Sequence, residues 1–188
     1  MNSKQIALIA VLVAVSVGSN YALISFYNVK LMDMIVFVSG FCFGPAVGAA
    51  TGGICWAVYG PLNPYGFSLH VWVATVVGES IYGLVGGLLG KSMRRSLTTE
   101  LTGRSINTLV FFGGFGVILT LVYDVITNIA FGYLNNWSIL FSVVSGFVPF
   151  GVMHVASNAF FFGVGCRPTI AAVLEVTGGG ENDDNTEK

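Results

Sequence analysis

Charge is what this 188-residue sequence has least of. Lys and Arg together number eight and Asp and Glu nine, or 9% of the chain, against roughly 25% in an average globular domain. So few ionisable groups cannot cover the surface of a soluble protein of this length. Eight basic residues and a net charge of −1 exclude a nucleic-acid binder, which needs a basic footprint on the phosphates. Three cysteines in so long a chain exclude a secreted disulfide scaffold. Cys42, Cys55 and Cys166 lie far apart, form no Cys-x-x-Cys pair, and read as small apolar packing residues. What fills the chain instead is hydrophobic: 54% apolar residues, 13% aromatics and 25 glycines, with a mean hydropathy of +0.80. The composition is that of an integral membrane protein.

The few charges are grouped. Lys91, Arg94, Arg95, Glu100 and Arg104 form one polar break near the middle. Glu181, Asp183, Asp184, Glu187 and Lys188 follow Gly178-Gly179-Gly180 and read as a disordered acidic tail over 177–188, after a membrane domain spanning 1–176. Lys4, Lys30, Asp33, Arg167 and Glu175 are assigned to segment ends. Between these breaks, about 20 apolar residues suffice to cross the hydrocarbon core, and four stretches do so: 5–26, 68–90, 106–131 and Val148–Cys166. The first exceeds the apolar core of a signal peptide and reads as a retained span. Pro149 suits the first turn of the last one, with 138–146 as a short element capping the outer face; a longer kinked helix is the alternative.

Residues 32–60 are too long for one comfortable span, and Gly44-Pro45 interrupts them. Proline removes a helix hydrogen bond and disfavours helix at the residue before it, so two short helices meeting there are expected. Cytoplasmic loops concentrate Lys and Arg, and only two passes through 32–60 bring Lys4, the Lys91–Arg95 cluster, Arg104 and Arg167 to one side. The expected fold is an all-α membrane protein, a compact bundle of six transmembrane helices with both termini cytoplasmic. The Pro61–Phe67 loop and 132–147 then lie outside, in a multi-pass membrane protein.

Glu79 and Asp124 remain embedded in apolar sequence, and His70 and His154 are the other candidates for chemistry or recognition. Glu79 is 12 residues from Lys91, about 18 Å above the inner edge at 1.5 Å per residue. Asp124 counts out near the outer surface from Arg104. Asp124 and Asn128, and likewise His154 and Asn158, are four apart and so neighbours on one helix face; Trp72 and Glu79, seven apart, share a face. A carboxylate near the bilayer centre costs roughly 2.5–3.5 kcal/mol on insertion scales. Interhelical hydrogen bonds or a water-filled ligand cavity in the outer half would each compensate, and the clustering favours the cavity.

Two other patterns need weighing. Ala10, Ala14 and Gly18 recur at four-residue spacing in the first helix, a small-residue stripe that lets another helix approach closely; that partner is either one of the chain's own helices or another subunit. Gly-Gly-Leu-Leu-Gly-Lys-Ser at 86–92 imitates a phosphate-binding loop but has Val85 where the first glycine is required, and no strand precedes it. The chain therefore carries no visible ATP site. Asn136-Trp137-Ser138 is a formal glycosylation sequon of the kind that arises by chance.

The sequence resembles the substrate-binding S components of energy-coupling-factor (ECF) vitamin transporters, from the first helix to about Leu174. The likeness rests on Ala10-x-x-x-Ala14, on Phe43-Gly44-Pro45-x-x-Gly48-Ala49-x-x-Gly52, on Asp124-x-x-x-Asn128, and on Pro149-Phe150-x-x-x-His154-x-x-x-Asn158, in that order. The resemblance implies a subunit that binds a vitamin or related micronutrient from outside, without enzymatic activity, cofactor or metal of its own. It implies docking through Ala10, Ala14 and Gly18 onto a membrane coupling (T) subunit driven by two cytoplasmic ATPase subunits. It further implies recognition by Glu79, Asp124, Asn128, His154 and Asn158, with Trp56, Tyr65 and Trp72 as aromatic walls or lid. Two readings compete. One is an intramembrane enzyme using Glu79 and His154 as base and acid with Asp124 orienting the histidine. The other is a stand-alone proton-coupled transporter or channel subunit with Glu79 or Asp124 as proton carrier.

Overall fold

A computed structural model of the chain describes residues 1–64, 66–100 and 106–178, the side chains of 94–100 excepted. Tyr65, the side chains of Arg94 and Arg95, Arg104 and the acidic tail beyond Gly178 lie outside the described residues. Among the described residues seven α-helices follow one another: α1 (Ser3–Ala22), α2 (Met32–Phe43), α3 (Pro45–Tyr59), α4 (Leu69–Glu100), α5 (Ile106–Leu134), α6 (Ile139–Gly146) and α7 (Val152–Thr177). A kinked segment, Phe147–Gly151, joins the last two. Among the described residues there is no strand. The chain is an all-α membrane protein: α1, α4, α5 and the 139–177 stretch are each long and apolar enough to cross a bilayer, and α2 and α3 complete a six-helix bundle with α6 as a short extra.

The two-helix reading of 32–60 holds. Gly44 takes φ +96°, a conformation that favours glycine, and Pro45 opens α3 from its first position. At 12 and 15 residues these helices are about 18 and 22 Å long, short of the ~30 Å hydrocarbon core. They are shielded accordingly: ten of the twelve residues of α2 are buried, against α3, α4 and α7. Glycine makes this possible. A side chain at Gly40 or Gly48 would run into the backbone at Gly83 of α4, and one at Gly86 or Gly90 into the carbonyls of Phe37 and Phe41. With no driving force from water inside a bilayer, such close backbone contact is what holds helices together. Phe37, Phe41, Phe112 and Phe162 fill the space behind it.

Two helix ends differ from expectation. Helix α4 runs on past residue 90 to Glu100, since Lys91–Glu100 contains neither glycine nor proline to stop it. The last helix starts at Val152, not Val148: Val148, at φ −113° and ψ 117°, is held out of the helical region by the proline that follows. It also continues beyond Cys166, through Pro168, to a left-handed Gly178 cap. Outward faces are apolar, as lipid requires; Val11, Val77, Ile118, Phe160 and Val164 are among the exposed residues.

Candidate functional site

The polar side chains converge at the end of the bundle that carries the 23–31 and 60–68 loops. Helix α5 presents Asp124 ten residues before its end and α4 presents Glu79 ten residues after its start, so both lie about 15 Å along their helices from that end. Counting from Arg104 had placed Asp124 near the surface; α5 extends far enough to bring it level with Glu79. Helix α7 contributes His154 and, one turn on, Asn158. From α2 comes Asp33, which sequence reading had assigned to a segment end.

His154 is the centre of the arrangement. Its Nδ1 lies 2.8 Å from Asp124 Oδ1 and its Nε2 2.8 Å from Asp33 Oδ2. A neutral imidazole has one N–H, so both contacts are hydrogen bonds only when a second proton sits on the ring or on one of the carboxyls. Asn158 Nδ2 donates to Asp33 Oδ2 at 2.6 Å and to Thr120 Oγ1 at 2.8 Å. Tyr82 also donates to Thr120, which in turn donates to the Gly116 carbonyl; that hydroxyl uses its one proton and both lone pairs. Glu79 accepts from Trp56 Nε1 at 3.2 Å, and Trp72 Nε1 donates to the Trp56 carbonyl at 2.9 Å. Trp56 thus links α3 to two positions on α4.

This network is buried and incompletely paired. His154, Asp33, Glu79 and Asn158 are at most 1% exposed and Asp124 7%. Yet Asp33 Oδ1, Glu79 Oε1, Asp124 Oδ2 and Asn158 Oδ1 have no hydrogen-bond partner, whereas buried polar atoms in folded proteins nearly always do. Two cavities adjoin it, of about 260 Å³ beneath the 23–30 loop and about 230 Å³ beside Asp124. Lys30, Trp56, Asn28 and Phe150 line both. Lys30 Nζ sits 4.7 Å from the Trp56 ring centre and 5.4 Å from that of Tyr123, within the range of cation–π attraction. The loop above is tied down by Asn28 Nδ2, which donates to the Phe150 carbonyl at 2.9 Å, and by a tilted ring contact of Tyr27 with Phe150.

Of the residues singled out in the sequence, Glu79, Asp124, His154 and Asn158 are brought together, and Trp56 and Trp72 join them. Asn128 stands apart from the hydrogen-bonded network, half-buried on the wall of the 230 Å³ cavity. His70 is exposed, with its ring 6.3 Å from that of Tyr133, and takes no part. Asp124 does hold His154, but Asp33 rather than Glu79 occupies the histidine's other nitrogen, which leaves no direct acid–base couple between Glu79 and His154. Among the described residues no group of three or more His, Cys, Asp or Glu is disposed to hold a metal. Ala10, Ala14 and Gly18 all face outward, and a side chain at Gly18 would touch nothing; the inward face of α1 is Ile9, Val13, Ser16 and Asn20.

Sequence reading missed Asp33, Lys30, Thr120, Tyr82 and Tyr123. Asp33 and Lys30 look like loop-edge charges, and only the shortness of α2 hinted that its first turn lies inside the bundle. Thr120, Tyr82 and Tyr123 are unremarkable in an apolar helix, and nothing in the sequence marks them out.

No curated protein and no solved structure matches the chain. A family model described as "ECF transporter, substrate-specific component" matches residues 4–164. That match covers α1 through the first half of α7, including every residue of the His154 network, and the chain belongs to the family of ECF transporter substrate-specific components.

Proposed function

We propose that this protein is the high-affinity binding subunit of an ATP-driven importer for a vitamin or vitamin precursor. Ligand enters from outside the cell into the cavities around Lys30 and Trp56. Asp124 and Asn128 reach it from α5; Glu79, His154 and Asn158 shape the floor beneath. Trp72 braces Trp56, and Tyr65 contributes from the adjoining loop. The protein docks through Ala10, Ala14 and Gly18 onto a membrane coupling subunit that two cytoplasmic ATPases drive. Both termini face the cytoplasm of a prokaryotic cell, and the chain performs no chemistry on its ligand.

The observation that carries this reading is the pairing of cavities lined by Lys30, Trp56 and Asp124 with an uncovered small-residue stripe on one small bundle. Small residues facing outward let a second transmembrane helix approach within backbone contact. The stripe and the cavity lie on different surfaces, so binding and coupling are separable. Ala14→Leu, in proteoliposomes containing the coupling subunit and both ATPases, is expected to abolish ATP-dependent uptake. The compound that copurifies with the protein, quantified by mass spectrometry, should still be retained in full. Loss of retention together with uptake would show the stripe to be part of the fold instead.

A further inference from the structure

The chemistry of the ligand can be narrowed from what the site leaves unmet. The unpartnered polar atoms of the His154 network are all carboxyl or amide oxygens: Asp33 Oδ1, Glu79 Oε1, Asp124 Oδ2 and Asn158 Oδ1. Asn20 Oδ1, on a residue lining the 260 Å³ cavity, is a fifth. Asp124 Oδ2 belongs to a side chain that is 7% exposed and lines the other cavity. Buried acceptors are satisfied by donors, and three of these five belong to carboxyl groups. An anionic ligand would add negative charge beside Asp33, Glu79 and Asp124, with Lys30 as the one basic side chain among the lining residues.

Lys30 itself indicates where a cation sits. Its ammonium is held over the faces of Trp56 and Tyr123. It also lines both cavities, together with Asn28, Trp56 and Phe150. Each alone, at about 260 and 230 Å³, falls short of the ~300–1,000 Å³ typical of a ligand site. Withdrawal of the Lys30 side chain would enlarge both.

We propose that the ligand carries a flat, positively charged nitrogen group with several N–H donors, of the amidine or protonated amino-heterocycle class, and that it displaces Lys30 from over the faces of Trp56 and Tyr123. Its ring takes the aromatic slot and its N–H groups turn toward the vacant oxygens of Glu79, Asp33 and Asp124. Lys30 acts as an internal stand-in that keeps the slot closed until ligand arrives. This rests on the importer reading above and adds the ligand class to it.

The test uses three ring compounds of nearly equal size and different charge: benzamidine, benzamide and benzoate. Binding to the purified full-length protein in nanodiscs, after removal of any retained compound, is read from quenching of tryptophan fluorescence. Benzamidine is expected to bind at least about tenfold more tightly than benzamide, the scale of one charge-assisted hydrogen bond, and benzoate not at all. Lys30→Met should strengthen benzamidine binding by about tenfold, because it removes the competitor, whereas Glu79→Gln should weaken it by a similar factor. Preference for benzoate, weaker benzamidine binding by Lys30→Met, or binding of none of the three overturns the proposal. Mass spectrometry of the compound that copurifies separates the two readings. A retained micronutrient with no protonatable nitrogen overturns the ligand class alone, and failure of the complete complex to transport anything it retains overturns the importer.

Discussion

Asn158 shows how much one buried amide can organise. It donates to Asp33 and to Thr120, and so joins α7 to α2 and α5. Asn158→Leu leaves Asp33 Oδ2 with His154 as its remaining partner and strips one donor from Thr120. The expected result is a loss of about 1–3 kcal/mol in unfolding free energy, measured by denaturant titration in detergent, together with weakened retention of the copurifying compound. Unchanged retention would make Asn158 purely structural. Tyr82→Phe provides the contrast. It removes one hydroxyl that donates to Thr120 at 2.9 Å and should cost about 1 kcal/mol with retention intact; if retention falls sharply, Tyr82 is a ligand contact. Glu79, Asp124, His154 and Asn158 were legible in the sequence because polar groups stranded in apolar helices stand out. Asp33 was not, because an acid beside a loop looks like any surface residue until the helix it begins is seen to start inside the bundle.

At the scale of elements, the α2–α3 pair depends on glycine in α4 more than on any hydrogen bond. Gly83 lies against the Gly48 carbonyl, so close that a Cβ there has no room. Gly83→Ala should push α3 away from α4 and destabilise the fold by about 1–3 kcal/mol or more, seen as a lower midpoint of thermal unfolding. Gly114→Ala is the control, since a Cβ there meets nothing within 4 Å; its effect should stay within about 0.5 kcal/mol, and an equal loss at both positions would refute the packing argument. The break at Gly44-Pro45 was visible in the sequence because proline and glycine act through the local backbone. The ends of α4 and α7 were not, because helix-forming residues beyond the apolar run carry the helix onward past the point where hydrophobicity stops.

For the whole molecule, the distribution of Lys and Arg predicts which end of the bundle faces the cytoplasm, and this is open to direct measurement. All three native cysteines are buried, so a thiol reagent meets a quiet background. A membrane-impermeant maleimide applied to intact cells should label Asn63→Cys, in the loop above the cavities, and should label Ser92→Cys only after permeabilisation. The opposite pattern would invert the bundle, and the ligand would then enter from the cytoplasm. With Asn63 outside, the Asn28–Phe150 tie and the Tyr27–Phe150 ring contact close the site on the side from which ligand arrives.

Membrane residence, a bundle of six membrane helices with a short pair at 32–60, the hinge at Gly44 and the inventory of stranded polar residues were determined by the sequence alone, since each follows from composition or from local backbone chemistry. The tertiary structure decided which of those groups meet. Asp33 and His154 are 121 positions apart, and no periodicity encodes a contact between helices that distant in the chain. It also decided that Ala10, Ala14 and Gly18 face outward, because the same stripe could equally have packed inward until the opposite face, from Ile9 to Asn20, took that place. Spacing can say that a helix has two unlike faces; only packing against the rest of the molecule chooses between them.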